Sequence, residues 1–325
     1  MSTPIHRHLL AALTAVSLSL VAATGQAAGY PDKPVRLIVT YPPGGGADIV
    51  ARLVAAKMTT SLGQQFIVEN RPGANGQIGA NTLARSAPDG YTVMLDATGF
   101  SINPTLYPSL PYNAAKDFTP VSVLVKFPNI LVKNPKFPVG DVKSLIDLVH
   151  KEPGKVSYAS SGTGSVQHLA GALFASKIQG QLVHIPYKGG GPALTDVAGG
   201  QVPIMFANGA SALPFIQSGK VTPLAITGAA RSAGLPDVPT MAEAGTPMQA
   251  YEWNALFVPA GTPQAVVDKL AAAAHAAVND PTVHKQLIDM GGEPMGASPV
   301  ESTQFIADQT RTWKSVIAEN QIKAN

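Results

Sequence analysis

The chain has 325 residues, 45% of them hydrophobic and 13% charged, with a formal net charge of +3. That length holds two domains of ordinary size and enough apolar residues for packed cores, which argues against disorder. The small charge, without any Lys/Arg run, argues against nucleic acid as a partner, and the lack of cysteine excludes disulfides, Cys-ligated metals and Cys-linked lipid anchors.

In chain order, residues 1–27 come first. "MSTPIHRH" carries Arg7, no charged residue lies between Leu9 and Thr24, and Gly25 and Ala27 sit at −3 and −1 of a cut after Ala27. This is the layout of a cleavable secretory signal, and the apolar run is too short to span a bilayer. Its removal takes away Arg7 and no acid, leaving 22 basic against 20 acidic side chains, net +2. The expected location is the periplasm.

The next segments alternate between periods two and 3.6. "VRLIVTY" (35–41) reads as a strand. Residues 47–63 read as a helix with Ile49, Val50, Leu53, Val54 and Met58 on one face and Gly63 as its stop. Strand 65–70, a helical stretch within 76–90 that is broken by Pro88 and Asp89–Gly90, and strand 91–98 complete a β-α-β-α-β unit with parallel strands. A second unit begins after "FPNILVKNP": helix 142–154, strand 155–161, helix 165–180, strand 182–189, a short helix 191–200, and strands 202–210 and 221–227. "WNALFVPAGTP" (253–263) leaves this unit, and the C-terminus is helical, with Pro281 and Pro299 where proline opens a helix. Two similar α/β units imply two lobes, each a mostly parallel sheet flanked by helices, with a ligand cleft between them.

Three stretches join a strand to a helix through glycines. "YPPGGGAD" contains Pro43, Gly44, Gly45, Gly46 and Asp48. Free N–H groups and the positive end of a helix dipole meet at such a point, which suits a carboxylate or phosphate. A plain tight turn fits the same letters. It is neither a phosphate-binding P-loop nor a dinucleotide fingerprint. "YASSGTGSVQH" supplies Ser160, Ser161, Gly162, Thr163, Gly164, Ser165 and His168. Ser165 doubles as an N-cap, and His168 ranks as a ligand contact or buried polar group ahead of a catalytic base, because the nucleophile-elbow pattern is absent. "PYKGGGPALTD" repeats the design with Tyr187, Lys188 and Gly189; Lys188 attracts an anion or lies solvated. Thr98, Ser101 and Asn208 also sit at strand ends, and Trp253 is either a ligand wall or core. The histidines show no metal-binding spacing, so no metal and no cofactor is expected.

These stretches, together with "ENRPGANGQIGANTLARSAPDGYT", "INPTLY" and "LFVPAGTP", occur in one order over essentially the whole mature chain. In that order they resemble the Bug-type solute-binding proteins of tripartite tricarboxylate transporters. The resemblance implies a two-lobe, type II-like periplasmic binding fold that captures an organic acid and carries out no catalysis. The acid would be a di- or tricarboxylate, an acidic amino acid or an aromatic acid. It implies that the loops Pro43–Asp48 and Ser160–Ser165 approach one carboxylate, largely through backbone groups and ordered water. Lobe closure would then present a monomer to the large and small membrane subunits of the transporter. Residues 29–127 and 252–325 would form the first lobe and 128–251 the second, with crossings near Phe127 and Glu252. Two other functions use the same residues: a ligand sensor for a membrane signalling protein, and an exported hydrolase with Ser161 or Ser165 and His168.

Overall fold

The computed structural model describes residues 29–323; the expected export signal lies outside the described residues. The first lobe opens with the anticipated alternation. Strand β1 (Val35–Val39) is β-branched and almost wholly buried, as a central parallel strand covered on both faces must be. It lies between β2 (Phe66–Asn70) and β3 (Thr92–Ala97), parallel to both. Helix α1 (Gly46–Leu62) packs Val50, Val54 and Met58 onto the sheet and ends on Gly63 at φ 72°, a left-handed cap that glycine adopts without strain. Ile49, expected on the same face, is 41% exposed. Helix α2 (Gln77–Ala84) precedes β3, and α3 (Gly99–Leu106) follows it.

The longest strand is one that the sequence hides. β4 (Phe118–Lys133) contains Pro120 and Pro128, and proline cannot donate to a ladder, which masks the strand pattern; no element is expected there from the sequence. Up to Pro128 it pairs antiparallel with β9 (Tyr251–Pro259), and Lys126 and Val125 pair with β10 (Glu293–Pro294). From Asn129 onward it pairs antiparallel with β7 (Ile204–Asn208) and β8 (Thr222–Ile226). The ladder therefore changes partners at Pro128, beside the pairs Phe127–Glu252 and Pro128–Tyr251.

The second lobe holds α4 (Val142–Lys151), β5 (Ser157–Ser160), α5 (Val166–Ile178), β6 (Val183–Pro186), α6 (Gly190–Gly199), β7, α7 (Gly209–Gln217) and β8. β5 runs parallel to β6 and β7. Thus each lobe has parallel outer strands, while β4 and β9, which carry the chain across, run antiparallel at the seam. Helices α8 (Gln264–Val278) and α9 (Pro281–Asp289) return to the first lobe; α9 and α10 (Pro299–Glu319) open on proline as expected. α10 spans both cores: Ile306 packs in the cluster of Trp253, whereas Trp313, Val316 and Ile317 pack in that of Phe174 and Phe206.

Candidate functional site

A cleft of about 670 Å³ lies over the β4–β9 seam, within the size range of small-molecule sites. Phe127, Glu252, Trp253 and Asn254 come from the seam. The first lobe contributes Tyr41 to Ala47, Asn75, Thr98 and Gly99; the second contributes Ser161, Gly164, Ser165, Gln167, Gly190 and Asn208.

The first glycine loop presents backbone. Pro43, Gly44, Gly45 and Gly46 line the cleft and are exposed. α1 starts on Gly45, which has no side chain to cap it, and the first helical bond is Ile49 N–H to Gly45 O at 3.0 Å. The N–H groups of Gly46, Ala47 and Asp48 thus precede the helical ladder. Asp48 itself is not in the cleft. It is 3% exposed and turned back. One carboxylate oxygen accepts from Gly44 N–H and Arg52 Nε, each at 2.9 Å, and the other accepts from Asn70 Nδ2 at 2.8 Å. The bond from Arg52 is the main cause holding its pKa down at about 2. Asp48 therefore braces the loop from behind.

The second loop is closed on itself. Ser161, Gly164 and Ser165 line the cleft; Ser160, Gly162, Thr163 and His168 do not. Ser160 is fully buried, and its hydroxyl meets His184 Nε2 at 2.6 Å and accepts from Gly162 N–H at 3.1 Å. Ser165 N–H donates to Gly162 O, and its side chain caps α5 by accepting His168 N–H at 3.2 Å. His168 Nδ1 accepts Gly164 N–H at 3.1 Å, and its ring stacks on His184 at 3.7 Å, 4° from parallel. Burial pushes His168 down to about 3, helped by His184, and pushes His184 down to about 4. A neutral histidine that already accepts a backbone N–H is no base for a serine. The hydrolase geometry is not formed.

The third loop contributes less than expected. Tyr187 donates to Asp196 at 2.7 Å, Lys188 is exposed off the cleft, and Gly189 only caps α6, leaving Gly190 on the wall. Thr98 lines the cleft and accepts Trp253 N–H at 3.0 Å, tying α3 to β9. Ser101 is fully buried and away from the lining. Trp253 touches the cleft, but its side chain is fully buried in the first lobe's core, so the core reading of that residue prevails. Among the described residues, no group of His, Asp and Glu is placed to hold a metal.

Among the lining residues that the sequence reading left out, Glu252 is the one acid. It lines the cleft and accepts hydrogen bonds from Gln167 Nε2 and, at 2.6 Å, from Asn208 Nδ2. Burial raises its pKa, and the two amides act against that rise. A lone acid between the aromatics of "AYEWNA", at the point where the chain crosses between lobes, was the available signal.

Residues 50–322 match the family described as "Tripartite tricarboxylate transporter family receptor". The chain is 38% identical over 306 residues to Protein BugT of Bordetella pertussis, covering 93% of this chain and 94% of that protein. A solved structure described as a periplasmic transporter shares 44% identity and a TM-score of 0.78, covering 90% of this chain and 99% of the other. R. palustris Rpa4515, solved with adipate, shares 33% identity and a TM-score of 0.79 over 90% of this chain and 99% of the other.

Proposed function

The chain belongs to the tripartite tricarboxylate transporter receptor family, and from that premise we propose that it captures a carboxylate-bearing solute in the cleft between its lobes. The observation that carries this reading is the start of α1. Its uncapped N–H groups open into the cleft beside three exposed glycines, and the helix dipole favours negative charge there. Rpa4515 has the same fold and was solved with a dicarboxylate. In this reading Pro43, Gly44, Gly45 and Gly46 take the carboxylate and Ser161, Gly164 and Ser165 close over it, with Thr98 and Asn208 on the flanks.

Residues 29–127 and 252–325 move against 128–251 about the Phe127–Glu252 and Pro128–Tyr251 pairs, and α10 limits the swing because it packs in both cores. The closed form docks on the large and small membrane subunits of the transporter. The signal-like residues 1–27 and the family's receptor role support a periplasmic location.

The test is a thermal-shift and calorimetric screen of the purified protein against mono-, di- and tricarboxylates, amino acids and aromatic acids. Ligand at 100 times its Kd stabilises by about 2.7 kcal/mol, a shift of several degrees. A folded protein that responds to no acid, after unfolding and refolding to strip any bound solute, refutes the reading.

A further inference from the structure

The cleft offers an acid no cationic side chain. Its lining includes no lysine, arginine or histidine, and its one carboxyl group is Glu252. The orientation of that carboxyl is fixed by its neighbours. Asn208 Oδ1 accepts Ala210 N–H at 2.9 Å, which turns Nδ2 toward Glu252 Oε2. Gln167 Oε1 accepts the Ser161 hydroxyl, which turns Nε2 toward Asn129 Oδ1 and Glu252 Oε1. Both carboxyl oxygens therefore face amide donors, and neither faces an acceptor. The amides hold Glu252 as an acceptor on both sides.

What the carboxylate lacks is a cation. Lys126 lies on the facing strand, but its partner in register is Trp253, and successive side chains alternate across a sheet. Its ammonium group is bonded to Glu293 at 2.9 Å and sits over the Tyr251 ring at 4.5 Å. A half-buried carboxylate without a counter-charge is unfavourable unless something else brings the charge.

We propose that Glu252 receives a cationic nitrogen of the solute, so that the ligand is an amino-bearing carboxylic acid and not a dicarboxylate. The proposal rests on the carboxylate reading of the α1 start. That end takes the acid, and Glu252, at the seam, takes the ammonium group. The bound solute then brings no net charge into a cleft that has no cation to offset one. A dicarboxylate would bring its second anion toward Glu252, where like charges repel most strongly because water is excluded.

Matched probes decide the matter. Calorimetry near neutral pH would compare butyrate, glutarate and γ-aminobutyrate, then pentanoate, adipate and δ-aminopentanoate, with L-leucine and L-glutamine as α-amino probes. The expected result is that an amino acid binds at least about tenfold more tightly than the dicarboxylate of matched length or the unsubstituted acid. Glu252→Gln, which removes the charge at nearly the same size, should erase that preference. Tighter binding of glutarate or adipate by the unaltered protein overturns the proposal, and so does a ranking unchanged in Glu252→Gln. The wild-type ranking alone suffices if the variant does not fold. Acids that bind without regard to the amino group defeat this inference and leave the receptor reading standing. Silence from every probe removes the carboxylate reading and this inference with it.

Discussion

The loops that start α1 and α5 look alike as strings, glycines between a strand and a helix, and they are built differently. At α1 the glycines are exposed, the helix has no side-chain cap, and Asp48 supports the loop from behind. At α5, Gly162, Gly164 and Ser165 donate or accept within the loop, and the Ser160–His184–His168 stack fills the space beneath. Gly44 and Gly46 have open space where a Cβ would sit, whereas a Cβ on Gly164 would lie 2.3 Å from Leu106 Cδ2. The first loop leaves the N–H groups of Gly46 and Ala47 ahead of the helical ladder, whereas the second spends its hydrogen bonds on shape. Glycine count alone does not reveal whether the missing side chain makes room for a ligand or for the protein.

The sharpest way to break this comparison is Gly164→Val. Gly164 has φ 78° and contacts Leu106 across the lobes. A β-branched residue there combines left-handed strain with overpacking, so we expect a loss of about 3 kcal/mol or more. Urea unfolding checks it; a loss below about 1 kcal/mol would mean that the second loop is as open as the first.

Acid should act next, and on the second loop. His168 and His184 titrate near 3 and 4 in the folded protein, below the ordinary histidine value of 6.5, chiefly because they are buried. The unfolded chain therefore binds the extra protons as pH falls through the 6.5–4 window. Stability from these residues is present above 6.5 and is lost on acidification, with a limiting slope of about 1.4 kcal/mol per pH unit for each histidine. Asp96 opposes them. Burial raises its pKa to about 7, so it favours folding at low pH and loses that contribution as pH rises from about 4 to 7. Asp96→Asn should therefore steepen the loss of melting temperature between pH 7 and 5, and His184→Phe should flatten it. A wild-type profile that His184→Phe leaves unchanged would show that the stack is not held neutral.

On the first loop, Asp48→Ala should cost about 1–2 kcal/mol. Gly44 N–H and Asn70 Nδ2 lose a buried acceptor, and Arg52 loses its partner. The cation is half-exposed, so the ion pair itself contributes little. Binding should weaken as well, because the loop loses its brace. A variant with wild-type stability would show that Asp48 merely decorates the helix.

How far the sequence could be read follows from the same contrast. The α/β alternation, the glycine stops and the proline-opened helices were legible because they are local rules, set by φ, by caps and by periodicity. β4 was not, because Pro120 and Pro128 mask a strand whose register is set by partners far away in sequence. The cleft was half legible. Exposed glycines at a helix start suited either an anion site or a plain turn, whereas Asp48 turned out to be a brace, His168 a buried stack and Lys188 a surface cation. Glu252 was passed over as a site residue: its place in "AYEWNA" hinted at it, but its partners Gln167 and Asn208 come near only after folding.

The smallest expected change in stability belongs to Gly45→Val, and it is the most informative. Gly45 has φ −79° and ψ 167°, values open to any residue, and its Cβ would meet only Pro42 O at 3.4 Å. Folding should change by less than about 1 kcal/mol, the modest cost of a branched residue in place of glycine at the N-cap. Binding should not be spared. A branched side chain would stand where a carboxylate must approach the N–H groups of Gly46 and Ala47, and loss of that approach should weaken the acid by about tenfold or more, or roughly 1.4 kcal/mol. Gly162→Val is not its equivalent. At φ 132° the residue is strained wherever its side chain points, so lost affinity there would be confounded with lost structure. Measured side by side, Gly45→Val should alter Kd with an intact melting curve, and Gly164→Val should alter the melting curve first. If Gly45→Val binds acids as wild type does, the carboxylate does not sit at the start of α1, and the exposed glycines are only a turn.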